Sequence, residues 1–246
     1  MTLSHKFASL LESEKIERFL NKYKGGYFGI ACGLIQSFML LGGAIIFNLT
    51  ENLAVPLTIY THWISNLGAA RNGAQYVFIT GMLLNIALSI PFFLDIARKC
   101  FQEKPKMSKL LLISLISLII ADISSVFLTI YNLIDFPVLH VIFATIFFNS
   151  SELLVASLSV TVASKRKSNK WLIQSALGVP VIACFSLFLI PIIPMLFEGN
   201  DLFSIITSMN ASLNSIRFWE WMSIISLTFW FFGSGLFLVL YMQSPN

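Results

Sequence analysis

Asp122 and Glu152 stand within long apolar runs of this chain. A carboxyl in such surroundings is costly unless it is paired or hydrated, so its presence marks a working or a bracing group. No Lys or Arg lies at their depth. At about 100° per residue, Ser114, Asp122, Ser125 and Thr129 fall within roughly 80° of one another, with Leu118 interrupting the stripe. Asn149, Glu152 and Ser159 share a face of the next apolar segment, and Asn85 and Ser89 are i, i+4 in an earlier one. The simplest arrangement turns these faces toward a common interior. There the set Asn85, Asp122, Asn149 and Glu152 has three uses. It can bond helix to helix, form a proton or cation pathway, or line a cavity for a polar ligand.

A second group lies in and around the connection Thr50–Gly73: Tyr60, His62, Trp63, Ser65, Asn66 and Arg71, with His140 and Glu220 at the starts of later apolar segments. His62, Asn66, His140 and Glu220 could meet at one end of the molecule, and His140 and Glu220 are shallow enough to touch water. Such a mouth suits a polar head group or a small solute. Equally, Glu220 pairs with Arg217 at i−3 and the aromatics anchor a membrane interface.

The elements that must position these groups follow from composition. Of 246 residues, 57% are hydrophobic, only 11% are charged and 23 are Phe. A soluble domain carries about 25% charged residues. A soluble enzyme, a disordered chain and a disulfide scaffold are thereby excluded. What remains is an all-α, polytopic membrane protein. A spanning helix needs roughly 20 apolar residues, and six segments qualify: 27–49, 74–97, 110–131, 138–163, 172–197 and 218–242. Continuous runs such as Phe229–Phe232 contradict the alternation of a membrane barrel. Residues 1–26 form an N-terminal arm and 243–246 a short tail. Asp122 then sits about 14 Å from one end of span three and Glu152 about 21 Å from the corresponding end of span four, at 1.5 Å per residue, so both lie near mid-membrane.

Fourteen of the sixteen cations fall in the arm and in the second and fourth connections; the other side holds only Arg71 and Arg217. The positive-inside rule puts both termini in the cytoplasm. The basic balance is thus read as topology beside anionic lipid rather than as nucleic-acid binding. The arm, with Leu3, Phe7, Leu10, Leu11, Ile16, Phe19 and Leu20, is either an amphipathic helix on the inner surface or a solvated leader. The first span is read as a retained signal-anchor. Cys32 and Cys184 lie in spans and Cys100 beside the membrane, which leaves no outer disulfide; Cys100 is read as inert, with palmitoylation the alternative. Asn48-Leu49-Thr50 and Asn210-Ala211-Ser212 are sequons, Asn48 close to the membrane. Gly25, Gly29 and Gly33 form a smooth face for close helix approach within the chain, with a homo-oligomer as the other use. Pro91 should bend span two; Pro180, Pro191 and Pro194 should kink span five and leave its outer end irregular. Asp95 is placed to pair with Arg98 at i+3.

Ile64-Ser65-Asn66-Leu67-Gly68 resembles the I-S-D-x-G signature of the damage-regulated autophagy modulators, which belong with proteins that remodel GPI-anchor lipids. His140 resembles the histidine that opens their fourth helix, and Glu220-Trp221 the E-W pair of their last. Related bacterial and archaeal six-helix proteins of unknown function match equally well. Asn66 departs from the family's Asp, and Asn72-Gly73-Ala74-Gln75 replaces the Pro-Glu-Ser that often follows. The resemblance implies a small six-helix membrane protein acting on or sensing lipid, with its signature on the outer side.

No phosphate-binding loop, H-E-x-x-H or C-x-x-C occurs, and Gly233-Ser234-Gly235 lacks the flanking glycines of a nucleophile elbow. Those small residues are better explained by packing of the last helix. The histidines His5, His62 and His140 are scattered. Neither a metal site nor a cofactor is expected. The reading is therefore a multi-pass protein of the cell membrane, or of an internal membrane in a eukaryote. It binds or senses lipid or a small amphiphile at its outer face and is not an enzyme. The alternatives are a proton- or ion-coupled transporter using Asp122 and Glu152, and, weakest, a lipid-modifying enzyme with His62 or His140 as base.

Overall fold

The computed structural model describes residues 3–50, 56–103, 108–163, 169–189 and 213–241. Lys104, Lys106, Lys165, Arg166, Lys167, Pro191, Pro194, the Asn210 sequon and the tail 243–246 lie outside them. The helices are α1 (Leu3–Leu11), α2 (Glu14–Tyr23), α3 (Gly26–Thr50), α4 (Asn66–Ala69), α5 (Gly73–Glu103), α6 (Ser108–Ile130), α7 (Pro137–Ala163), α8 (Asn169–Ala176), α9 (Gly178–Leu189) and α10 (Leu213–Tyr241). No strand occurs among the described residues. Six stretches are long and apolar enough to cross a membrane: Gly26–Thr50, Gly73–Gln102, Lys109–Ile130, Pro137–Ala163, Leu172–Leu189 and Arg217–Tyr241. In hydrocarbon every backbone N–H and C=O must be bonded within the protein, and a helix does this inside one segment.

The spans pack as a ring in chain order. α3 lies on α5, α5 on α6, α6 on α7, α7 on α9 and α9 on α10, and α10 closes the ring against α3. Large apolar side chains point outward, among them Phe38, Leu41, Ile123, Val160 and Phe229. Hydroxyls point inward: Ser89, Ser114, Ser125, Ser151, Ser157, Thr161, Ser223 and Thr228 are buried. Lipid tails are as apolar as leucine, so burying leucine gains little; small residues and hydroxyl bonds join the helices instead. Ser114 and Ser157 meet at 2.7 Å across the α6–α7 seam.

The glycine face of span one is spent within the chain. Gly26 and Gly29 press on Gly235 of α10, and Gly33 on Phe232. Ser234, between the two glycines of α10, accepts a 2.7 Å bond from the Gln174 amide of α8. Pro91 sits inside α5, which runs through it unbroken. The break in span five falls between Ala176 and Gly178. Pro180 accounts for it, because its ring clashes with the carbonyl four residues back, that of Ala176.

α5 is longer than its expected end at residue 97: its 31 residues reach about 46 Å at 1.5 Å each, beyond a hydrocarbon core of about 30 Å. The extra turns receive the N-terminal arm. Phe7, Leu11 and Leu20 are buried, and α1 packs on α5 and α6. Part of the arm's apolar side therefore covers protein, while Leu10 and Phe19 stay exposed. Arg98 reaches Glu17 of α2 at 2.6 Å, while Asp95 takes Lys99 at 2.9 Å. The expected Asp95–Arg98 pair is thus replaced by i, i+4 geometry on one side and a tertiary contact on the other. Cys100 is fully buried, which closes it to lipidation. Glu17→Ala should loosen the arm: trypsin cleavage at Arg18 and Lys22 should quicken by about tenfold, matching ~1.4 kcal/mol of docking energy. An unchanged cleavage rate would show that the apolar contacts alone hold the arm.

Candidate functional site

Opposite the arm, residues 56–72 fold over the ring. Thr58 and Thr61 close a turn through their hydroxyls, 3.0 Å apart. Asn48 at the end of α3 grips Leu57 on both sides, its Oδ1 accepting from the Leu57 N–H at 2.7 Å and its Nδ2 donating to the Leu57 carbonyl at 3.1 Å. The first sequon is therefore a loop brace. α10 supplies the rest of the fastening. The Arg217 guanidinium donates to the Thr61 carbonyl at 2.8 Å and lies 5.7 Å from the Trp63 ring centre. The Trp221 indole donates to the His62 carbonyl at 2.9 Å. Phe218 stacks on Tyr60 with centroids 5.6 Å apart. Arg71 reaches Asp135 of the α6–α7 connection at 3.2 Å, and the carboxyl of Asp135 is held below its usual range by the Asn132 amide and then by Arg71.

Glu220 lies beneath this cap. Its Oε2 accepts the Ile64 N–H at 2.9 Å. The expected Arg217–Glu220 ion pair does not form as a contact, because Arg217 is drawn up to the loop while Glu220 turns in. Glu220 is 5% exposed and His140 8%, so neither touches bulk water, contrary to the sequence expectation. His140 Nδ1 is 2.8 Å from the Tyr131 carbonyl, across the α6–α7 connection.

His140 and Glu220 do meet, however. With Ser65, Gln36 and a wall of Met39, Met82 and Phe147 they line a cavity of about 40 Å³. His62 lies outside it, at the rim. Its Nδ1 is 3.0 Å from the Thr61 hydroxyl and its ring is edge-on to Phe47. Partial burial and then the Arg217 charge lower its proton affinity, favouring the neutral ring. Asn66 opens α4 next to Ser65 and keeps a buried Oδ1 without a partner. Trp221 is buried rather than anchored at the interface.

A second cavity of about 40 Å³ follows toward mid-membrane, sharing Gln36, Met82 and Phe147 with the first. Asn85, Ser89, Asp122, Ser125 and Ser151 line it. Ser89 Oγ stands 3.3 and 3.2 Å from the two carboxyl oxygens of Asp122. The four-residue spacing of Asn85 and Ser89 and the stripe through Asp122 and Ser125 are thereby placed inside, as the helical spacing predicts.

Span four divides differently from its expected face. Glu152 is in the seam with α9, accepting the Ser186 hydroxyl at 2.6 Å. Asn149 is exposed on the outside of the ring and bonds back to the Thr145 carbonyl at 2.8 Å. The reason is rotation: the buried face of α7 runs through Phe147, Ser151, Leu154, Leu158 and Thr161. Asp122 and Glu152 therefore do not share a cavity. Gln36 and Ser151 were not among the candidates from sequence. Gln36 continues the glycine stripe three residues past Gly33, which is the signal that could have found it. Its Oε1 accepts from Thr228 at 3.0 Å.

Ring and lumen together define a polytopic α-helical membrane protein with a capped polar interior. The chain matches no protein-family model, no curated protein and no solved structure.

Proposed function

We propose that this chain, in the cell membrane with its capped end outward, binds a lipid or small amphiphile beside the cap. One observation carries the reading. On the outside of the ring, between α3 and α5, an apolar groove of about 520 Å³ is lined by Leu34, Ile35, Phe38, Tyr76, Thr80 and Leu84. It runs from the level of Tyr76, under the loop, to that of Leu34 and Leu84 near the middle of the bundle, and its walls offer almost no hydrogen-bonding atoms. Its size lies within the usual range of ligand sites. A spanning protein presents such a groove to acyl chains, and Phe38 and Tyr76, both about 70% exposed, flank it. The residues through which the chain resembles the lipid-remodelling proteins, Ile64, Ser65, His140 and Glu220, gather beneath the loop, toward the Tyr76 end of the groove.

Thr80→Trp should fill the groove, and lipid retained through purification, read by mass spectrometry, should fall by about tenfold, matching a loss of ~1.4 kcal/mol. Unchanged lipid retention in a folded variant would refute the groove as the site. The alternative of coupled transport rests on Asp122 alone, since Glu152 faces a seam. A flux driven by a pH gradient in vesicles, lost in Asp122→Asn, would put it ahead.

A further inference from the structure

We infer that the mid-membrane cavity at Asp122 is a binding site for one small monovalent cation, sodium. The oxygens come from four helices: Gln36 on α3, Asn85 and Ser89 on α5, Asp122 and Ser125 on α6, and Ser151 on α7 all line it. Asn85 makes the case beyond a lone carboxylate. It is 7% exposed, and its Nδ2 donates to the Cys32 carbonyl at 3.2 Å. That bond requires a donor, so it fixes which way the amide faces and leaves Oδ1 as the free end. Oδ1 is buried and has no hydrogen-bond partner. A buried acceptor with no donor is costly, and a cation satisfies it.

Charge and size select the ion. The remaining walls are Met82, Ile86, Leu118, Phe147, Leu227, Phe231 and similar apolar groups. Among the described residues, no cationic side chain lines the cavity, and the one charged group that does is the Asp122 carboxylate. One monovalent ion neutralises that charge; a divalent ion would leave a net positive charge in hydrocarbon, which is disfavoured. Calcium takes 6–8 oxygens, several of them carboxylate, and magnesium keeps several waters. A volume of about 40 Å³ has room for only an ion and about two waters. The sequence expectation of no metal rested on the scattered histidines and on the lack of H-E-x-x-H and C-x-x-C. Sodium needs only oxygens.

Binding of radioactive ²²Na⁺ to the purified full chain in nanodiscs tests this directly. One saturable site is expected, displaced by unlabelled NaCl and not by choline chloride. Asp122→Asn, which keeps shape and removes charge, should weaken binding at least tenfold, and Asn85→Leu should weaken it too. Glu152→Gln, in the α7–α9 seam, should leave it unchanged. The melting temperature should rise by about 3–5 °C for each tenfold increase of Na⁺ above the dissociation constant, at constant ionic strength. If Asp122→Asn does not fold, Ser89→Ala should still shift the midpoint to higher Na⁺. Absence of saturable binding, with tryptophan emission answering to acid alone, would mean a proton site only and overturn the assignment. Equal loss in Glu152→Gln would overturn it as well.

Discussion

Glu220→Ala should lower the stability of the folded protein by about 3 kcal/mol, because the backbone amide of Ile64 would lose its acceptor in a place water reaches poorly. The Ile64 N–H lies 2.9 Å from the carboxyl. A buried donor left unmade costs about 1–3 kcal/mol, and the missing side chain enlarges the adjoining cavity. For a chain of this size the melting temperature should fall by about 6–12 °C. Glu220→Gln should cost roughly half as much, since one acceptor oxygen remains. Hydrogen exchange separates this from a general loss of packing. Protection should vanish first at Ile64, with the Asn48–Leu57 clasp surviving. A Glu220→Ala protein that melts with the wild type and keeps that amide protected would show that the carboxyl does not hold the cap.

The second large effect should come from Gly235, and there the sign depends on the neighbour. A Cβ at this position would stand 2.6 Å from the Gly26 carbonyl oxygen and 2.8 Å from the Gly29 carbonyl carbon. Both atoms are backbone, so α3 and α10 must separate. Overpacking of this kind costs about 1–3 kcal/mol, or more where the main chain must move. The gain in helix propensity from glycine to alanine, about 1 kcal/mol, opposes it. Gly235→Ala should therefore lose about 1–2 kcal/mol and Gly235→Leu at least 3 kcal/mol. Gly42, on the same α3 helix, would place its Cβ no closer than 3.7 Å to the Phe38 ring. Gly42→Ala should be neutral or stabilising by up to about 1 kcal/mol. Reversible unfolding in detergent ranks the three, and equal effects at Gly42 and Gly235 would refute the close approach of α3 and α10.

Some of the site was readable in the chain and some was not. Asn85 with Ser89, and Asp122 with Ser125, were visible as faces because a helix repeats every 3.6 residues and each pair lies within one face. That both faces meet in one cavity was not visible. Asn149 and Glu152 form as good a face as Asp122 and Ser125 do, yet α7 turns them toward the outside and toward α9. Arg98 has Asp95 three residues away, and the fold nevertheless gives it Glu17 from the arm. His140 and Glu220, on different helices and in no shared sequence pattern, come to line one cavity only because the ring closes.

Length, hydropathy and charge alone led to six helical crossings, because hydrocarbon tolerates only a backbone bonded within its own segment. Tertiary packing decided the turn of each helix about its axis, and with it which polar group faces lumen, seam or lipid. That turn is set by contacts between distant residues, such as Gly235 on Gly26 and Gln36 on Thr228. In a medium as apolar as the side chains themselves, hydropathy has no preference for one face over another.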